Sequence, residues 1–333
     1  MRIIVTGGSG FIGSNLVRHL LERSNDVDVF NIDALTYAAD QKNLADCENN
    51  PRYHFVRLDI TDRDAVAKAF DEIRPDGIYH LAAESHVDNS IKGPAQFVMT
   101  NVVGTFNLLE EARALWGNHS ANRFLHVSTD EVYGSLGEDG AFNEEMPYQP
   151  NSPYSASKAA SDHLARAWHH TYGMNVVTTN CSNNYGPRQH REKLIPTVIW
   201  SALLGRPIPV YGQGANVRDW LYVGDHCDAL ATVFENGVAG ETYLIGGRNE
   251  WRNLDLVREI CRVLDEEVGE GPVGGYASLI TFVTDRPGHD ARYAIDPAKI
   301  ESELKWRAAH SFDEGLRETV RWYAPMLPRE TTV

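Results

Sequence analysis

An α/β architecture is predicted, a doubly wound parallel sheet with a smaller, interleaved second lobe, and three observations carry the prediction. Short β-rich runs alternate with helical patterns through the first 180 residues, as βαβ units feeding a parallel sheet do. A glycine cluster, TGGSGFIGS, ends the first of those runs and opens the first helix. After Asn180 the chain turns irregular and rich in Gly, Pro, Asn and Arg, the composition of loops that bind rather than pack.

The predicted strands are Arg2 to Thr6, Val27 to Ile32, Tyr53 to Arg57, Gly77 to Leu81, Arg123 to Ser128 and Asn175 to Thr179. Helices are expected to start near Phe11, Asp62, Gly93 and Ser155. ETYLIG, from Glu241, reads as a strand that returns to the sheet, so no single cut separates the lobes. The expected division is 1–180 for the sheet domain, with 219–246 returning to it, and 181–333 mainly for the second lobe. No internal repeat or low-complexity tract interrupts this order.

At 333 residues the chain exceeds the usual single core, and two lobes make a cleft. It is 42% hydrophobic and 23% charged, and no apolar run approaches the roughly 20 residues that span a bilayer, so a soluble protein without a membrane partner is expected. The net charge of -15 argues against a sequence-independent grip on nucleic acid. MRIIVTGG runs straight into a strand, leaving no room for a leader, and a cytoplasmic location is expected. Cys47, Cys181, Cys227 and Cys261 lie far apart without CxxC spacing, which suggests reduced, structural thiols and no metal site.

Gly7, Gly10 and Gly13 form GxxGxxG, and Gly8, Gly10 and Gly13 form GxGxxG, between a strand and a helix. Such glycines occur in plain turns, but here the context is that of a Rossmann-type dinucleotide site: the tight turn admits a pyrophosphate to a helix N-terminus. Asp33, 20 residues after Gly13 at the end of the second strand, suits ribose hydroxyls and repels a 2′-phosphate, which favours NAD over NADP. Asp59-Ile60 follows the third strand, where the carboxylate either meets the adenine amino group or caps the strand end. Leu81, Ala82, Ala83, Glu84 and Ser85 follow the fourth, and the small residues let the chain pass beside the nicotinamide ribose.

Tyr154 and Lys158 form YxxxK, a spacing that puts both side chains on one helix face. An ammonium beside a phenol is expected to lower the phenol pKa, so that Tyr154 can take a proton from a substrate hydroxyl while Lys158 also holds the nicotinamide ribose. In HVSTDEVYG, Ser128, Thr129, Asp130 and Glu131 end the preceding strand at the ligand edge. Thr129 can bond the hydroxyl that Tyr154 deprotonates. Asp130 and Glu131 are either turn caps or an acid and a base; simple hydride transfer needs neither, so the second reading implies an added proton-transfer step.

Together TGGSGFIGS, NIDALTYA, HLAAESHVDNSI, HVSTDEVYG, PNSPYSASKAASDH, NCSNNYGP, EKLIP, PVYGQGANVRDW and DRPGHDARY resemble the dTDP-glucose 4,6-dehydratases, a family of the extended short-chain dehydrogenase/reductase type, from Met1 to about Tyr293. The Asp-Glu pair after the Thr is what related sugar-nucleotide epimerases and decarboxylases lack. The resemblance adds Phe11, Ile12, Ala34, Leu35, Thr36, Thr100 and Asn184 to the cofactor set. It implies that Ser85, Asn183, Lys193, Leu194 and Pro209-Val210-Tyr211 line the sugar-nucleotide site with Thr129, and that Arg218, Asn253, Arg286 and His289 meet the diphosphate and neighbouring sugar. Arg forks suit phosphate oxygens, although Arg286 or His289 alone reads equally as a surface residue. His86 reads as a structural hydrogen-bonder. Two departures stand out: Ser9 where Ala is usual, and AADQKNL in place of an AGN-type run after Thr36.

The implied reaction is oxidation at C4 of dTDP-glucose, loss of water across C5 and C6, and hydride return to C6. Rival readings are an NAD-dependent epimerase or decarboxylase of a nucleotide sugar, against which the Asp-Glu pair argues, and a non-catalytic NAD-sensing protein, against which Tyr154 with Lys158 argues. Apolar faces around Asn101 to Leu115 and Ser155 to Tyr172 suggest a homodimer.

Overall fold

The structure, a computed structural model, describes residues 1–117, 121–269, 271–285 and 290–326. Its first half runs β1 Arg2–Thr6, α1 Phe11–Arg23, β2 Asp28–Asp33, β3 Tyr53–Arg57, α2 Arg63–Ile73 and β4 Gly77–His80. There follow α3 Val87–Lys92, α4 Pro94–Phe97, a π-helical stretch Val98–Gly104, α5 Thr105–Trp116, β5 Arg123–Thr129, α6 Pro153–Tyr172 and β6 Val176–Cys181. The second half comprises β7 Asn183–Tyr185, α7 Leu194–Leu203, β8 Ile208–Tyr211, β9 Val217–Tyr222, α8 Val223–Asn236 and β10 Thr242–Ile245. It ends with β11 Glu250–Arg252, α9 Asn253–Glu267, β12 Ile280–Val283, α10 Ala298–Glu303 and α11 Phe312–Tyr323.

Seven strands form one parallel sheet in the order β3-β2-β1-β4-β5-β6-β10. The chain winds outward from β1 to β3, then returns to β4 and continues the other way, so a crevice opens at the carboxyl ends of β1 and β4. Successive strand residues face opposite layers: Ile3 and Val5 pack with Leu16, Val17, Leu20, Leu230 and Val233 of α1 and α8, while Ile4 packs with Val66, Phe70, Leu108 and Leu109 of α2 and α5. The strand expected from Glu241 is β10, whose Thr242 to Ile245 pair with Thr178 to Cys181.

The helix expected to start near Gly93 starts at Pro94, and α4, the π-helical stretch and α5 run on from one another to Trp116 with helical backbone at each junction. One predicted feature comes out differently. The stretch after Asn180, read as irregular, is rich in helices; its glycines and prolines punctuate amphipathic runs such as α9, which buries Leu256, Val257, Ile260, Cys261, Val263 and Leu264. With α7 and α11 this helix encloses a second core around Ile195, Ile199, Leu316 and Val320, beside the small sheets β11-β9-β7 and β12-β8.

Candidate active site

A cleft of about 320 Å³ lies over the carboxyl ends of the strands and is lined from both halves of the chain. At its floor Gly7 has φ +71°, and a Cβ on Gly13 would stand 2.1 Å from the Gly7 carbonyl oxygen, so only glycines let α1 start this close to β1. Gly10 is the N-cap of α1, whose first-turn N–H groups have no partner within the helix and are suited to a pyrophosphate. Asp33 is buried; Oδ2 accepts from Ser9 N (2.9 Å) and Oδ1 from Leu35 N (2.8 Å). Burial pushes its carboxyl up and these two amides pull against that rise. The cradle fits a dinucleotide with free ribose hydroxyls.

Gly7, Gly10, Phe11, Ile12, Gly13, Asp33, Ala34, Thr36, Asp59, Ile60, Leu81, Ala82, Ala83, Ser85, Thr100, Tyr154, Lys158 and Asn184 all line this cleft. Leu35, expected among them, does not: it takes a left-handed turn (φ +56°) with its N–H bound to Asp33, which carries it off the wall. Asp59 serves both readings, lining the cleft while Oδ1 accepts from Thr61 N and Thr61 Oγ1, each at 2.9 Å. His86 is the N-cap of α3, accepting from Asn89 N at 3.4 Å, the structural role expected of it. The four cysteines are buried free thiols.

At the other end, a capping box between Ser152 and Ser155, with Pro153 in the first turn, starts α6 so that Tyr154 and Lys158 reach the cleft. Lys158 Nζ donates to Val127 O at 2.9 Å. The expected lowering of the phenol is not what the protein alone produces: burial first, then Glu131, push Tyr154 well up, against a hydrogen bond from Thr129. Burial likewise pushes Lys158 down. Thr129 and Glu131 line the cleft, whereas Asp130, expected there too, is sealed at 2% exposure. Asp130 lies within the electrostatic reach of Asp219 and Arg218 of β9, and its Oδ1 accepts from Thr129 Oγ1 at 3.3 Å. Burial and then Glu131 raise its carboxyl well above the usual range. One carboxyl favours its protonated form; the other is open to a ligand.

Ser85, Asn183 and Lys193 join Thr129 on the wall. Leu194, Pro209, Val210, Tyr211, Arg218 and Asn253 do not line it. Leu194 opens α7; Pro209 to Tyr211 pair with Thr281 to Val283; Asn253 opens α9. Arg218 is buried, donates to the Val217, Ala291 and Asp290 carbonyls and lies 4.2 Å from the Tyr293 ring centroid. Arg286 and His289 lie outside the described residues. The sequence reading missed Gln189, His190 and Glu192, which line the cleft beside Lys193; Glu192 Oε2 stands 3.8 Å from His86 Nε2 and 3.6 Å from His190 Nδ1. Their adjacency to Lys193 in QHREK was the available signal.

The family model described as GDP-mannose 4,6 dehydratase matches residues 4–319. The chain is 58% identical over 328 residues to a probable dTDP-glucose 4,6-dehydratase of Sinorhizobium fredii, covering 97% of this chain and 93% of that protein. It is 56% identical to a dTDP-glucose 4,6-dehydratase of Neisseria gonorrhoeae, covering 96% and 95%. The crystal structure of a dTDP-glucose 4,6-dehydratase from Streptomyces venezuelae with NAD and TYD bound superposes with a TM-score of 0.89 at 48% identity, over 98% of this chain and 97% of that one.

Proposed function

The chain belongs to the family described as GDP-mannose 4,6 dehydratase and, within it, to the dTDP-glucose 4,6-dehydratases; from that premise we propose that it converts dTDP-glucose to dTDP-4-keto-6-deoxy-glucose with NAD regenerated in each turnover. The observation that carries the reading is the pair at the end of β5, a sealed Asp130 with a raised pKa beside a cleft-lining Glu131, next to Tyr154 and Lys158. An epimerase has no use for such a pair. A non-catalytic NAD sensor needs neither the pair nor YxxxK.

When bound in the cradle of Gly7, Gly10, Gly13 and Asp33, NAD would supply an acceptor and later a donor of hydride. Tyr154 takes the proton of the 4-hydroxyl, Thr129 steadies that hydroxyl, and Lys158 holds positive charge behind the phenol. The C4 ketone acidifies C5. Glu131 then removes the C5 proton while Asp130, protonated beforehand by its burial, gives its proton to the departing 6-hydroxyl. Glu131 returns a proton to C5 as C6 is reduced. The substrate lobe is assigned the nucleotide and diphosphate, with Asn183, Lys193, Leu194, the Pro209–Tyr211 strand, Arg218, Asn253, Arg286 and His289 in that role, and residues 1–180 with 219–246 the cofactor, Ser85 reaching the sugar nucleotide from that side.

A homodimer working in the cytoplasm completes the proposal. Exposed Val98 and Met99 of the π-helical stretch and Tyr172 of α6 support the first, and four buried free thiols agree with a reducing compartment. The direct experiment is turnover of dTDP-glucose, read by the absorbance of the 4-keto product in base, with UDP-glucose alongside. Product from dTDP-glucose supports the reading; an unchanged or epimerised sugar refutes it.

A further inference from the structure

We propose that Asp162 is a positioning residue for catalysis, fixing the end of β5 that bears Thr129, Asp130 and Glu131 through Asn180 and His126. The inference rests on the dehydratase reading, since Asp162 acts on the sugar only through those residues and Lys158. Asp162 lies one helical turn beyond Lys158 and two beyond Tyr154, so the three share a face of α6. It is buried, as are His126 on β5 and Asn180 on β6.

Every oxygen of this carboxylate is engaged. His126 Nε2 donates to Oδ1 at 2.9 Å, while Tyr148 Oη and Asn180 Nδ2 donate to Oδ2, each at 3.1 Å. The same Asn180 nitrogen donates to the Thr129 carbonyl at 3.1 Å. Asp130 and Glu131 follow that carbonyl directly, so one amide nitrogen ties the acid and the base to Asp162. Asn180 stands opposite Ser128 in the β5–β6 ladder, and its side-chain bond therefore adds a brace one residue further along, where the backbone leaves the sheet. A second connection runs through Ser161, whose Oγ bonds His126 Nε2 (3.2 Å) and the Lys158 carbonyl (2.8 Å).

The charge pattern agrees with this geometry. Burial, the largest single influence, pushes Asp162 up, but the bond and charge of His126, the charge of Lys158 and the hydroxyl of Ser128 together outweigh it and the carboxyl sits below its ordinary value. Burial holds His126 down, so the ring that donates is neutral. Among the described residues no Lys or Arg lies within 4.0 Å of Asp162, so its charge is held by hydrogen bonds, with Lys158 attracting it from further away. Burial lowers Lys158, and Asp162 is the first group that raises it again. A buried ionised carboxylate is costly to a fold and a poor choice for stability alone.

The test compares wild type, Asp162→Asn, Asn180→Ser and the double variant in steady-state turnover of dTDP-glucose, with bound NAD and melting temperature measured on each. Asn180→Ser removes the brace to Thr129 while leaving the His126–Asp162 pair, so it reads the same link if Asp162→Asn does not fold. The expected result is a kcat lower by roughly 10- to 100-fold in either single variant, as misplacement of catalytic groups produces. KM and bound NAD should stay within about twofold of wild type, and the double variant should be no slower than the slower single one, the signature of a shared path. An unchanged kcat in a folded variant, or a loss confined to KM and NAD content, overturns the positioning role. A wild type that leaves dTDP-glucose untouched overturns the dehydratase reading itself.

Discussion

Glu131 opens onto the cleft while Asp130, the residue before it, is shut away at 2% exposure under a hydrogen bond from Thr129 Oγ1. Sequence neighbours of the same chemistry thus occupy two environments, and burial holds the Asp130 carboxyl well above its usual range. Elimination of water needs an acid and a base at once, and the proposed mechanism assigns these roles to Asp130 and Glu131.

Asp130→Asn is expected to slow elimination far more than the initial oxidation, so quenched single turnovers should accumulate the 4-keto sugar that still carries its 6-hydroxyl. Stability should move the other way. Because the fold raises the Asp130 carboxyl, the protonated form favours the native state, and that contribution is full below the ordinary value of about 3.9 and lost as pH climbs above it. The variant should therefore melt higher than wild type at neutral pH, with the gap closing on acidification towards the unfolded value. Equal melting temperatures at both ends would contradict the buried-acid role.

Asp33 should decide the cofactor. Nucleotide extracted from the purified protein is expected to be NAD, and Asp33→Ser should narrow the preference over NADP by roughly 10-fold or more, since it removes a bidentate partner for the ribose and a charge opposed to a 2′-phosphate. Recovery of NADP from wild type, or an unchanged preference in the variant, would be inconsistent with this assignment.

Arg218→Ala should raise KM for the nucleotide sugar by about 10-fold or more while bound NAD stays at the wild-type level. Arg218 lies on β9 across the Tyr293 ring, with both terminal nitrogens donating to backbone carbonyls; its assignment to the diphosphate rests on the affinity of a guanidinium for phosphate oxygens. Arg218→Lys should recover only part of the loss, because an ammonium cannot make the bidentate contact. Unchanged KM in both variants removes Arg218 from the substrate site.

What could be read from sequence is what local geometry dictates. The spacing of Gly7, Gly10 and Gly13, the position of Asp33 and the helical separation of Tyr154 from Lys158 each follow from one strand, turn or helix, and each of these residues lines the cleft. The difference between Asp130 and Glu131 was not legible, because it depends on tertiary burial, and the charges that act on Asp130 include Arg218 and Asp219 of β9, nearly 90 residues later. Tyr154 misled for a related reason: spacing announced its lysine but not its burial, which is the largest influence on the phenol and raises it. The His126–Asp162–Asn180 network joins three elements through side chains that no local pattern marks. Leu35 was misplaced because a left-handed turn at a leucine has no sequence signal.

The measurement closest to the central claim follows the hydrogen from C4. Incubated with dTDP-glucose deuterated at C4, the enzyme should give dTDP-4-keto-6-deoxy-glucose with the deuterium on C6 and none released to solvent, with no added reductant. That outcome requires oxidation, elimination and return within one closed cleft. Deuterium lost to solvent, or retained at C4 of an epimerised sugar, would contradict it.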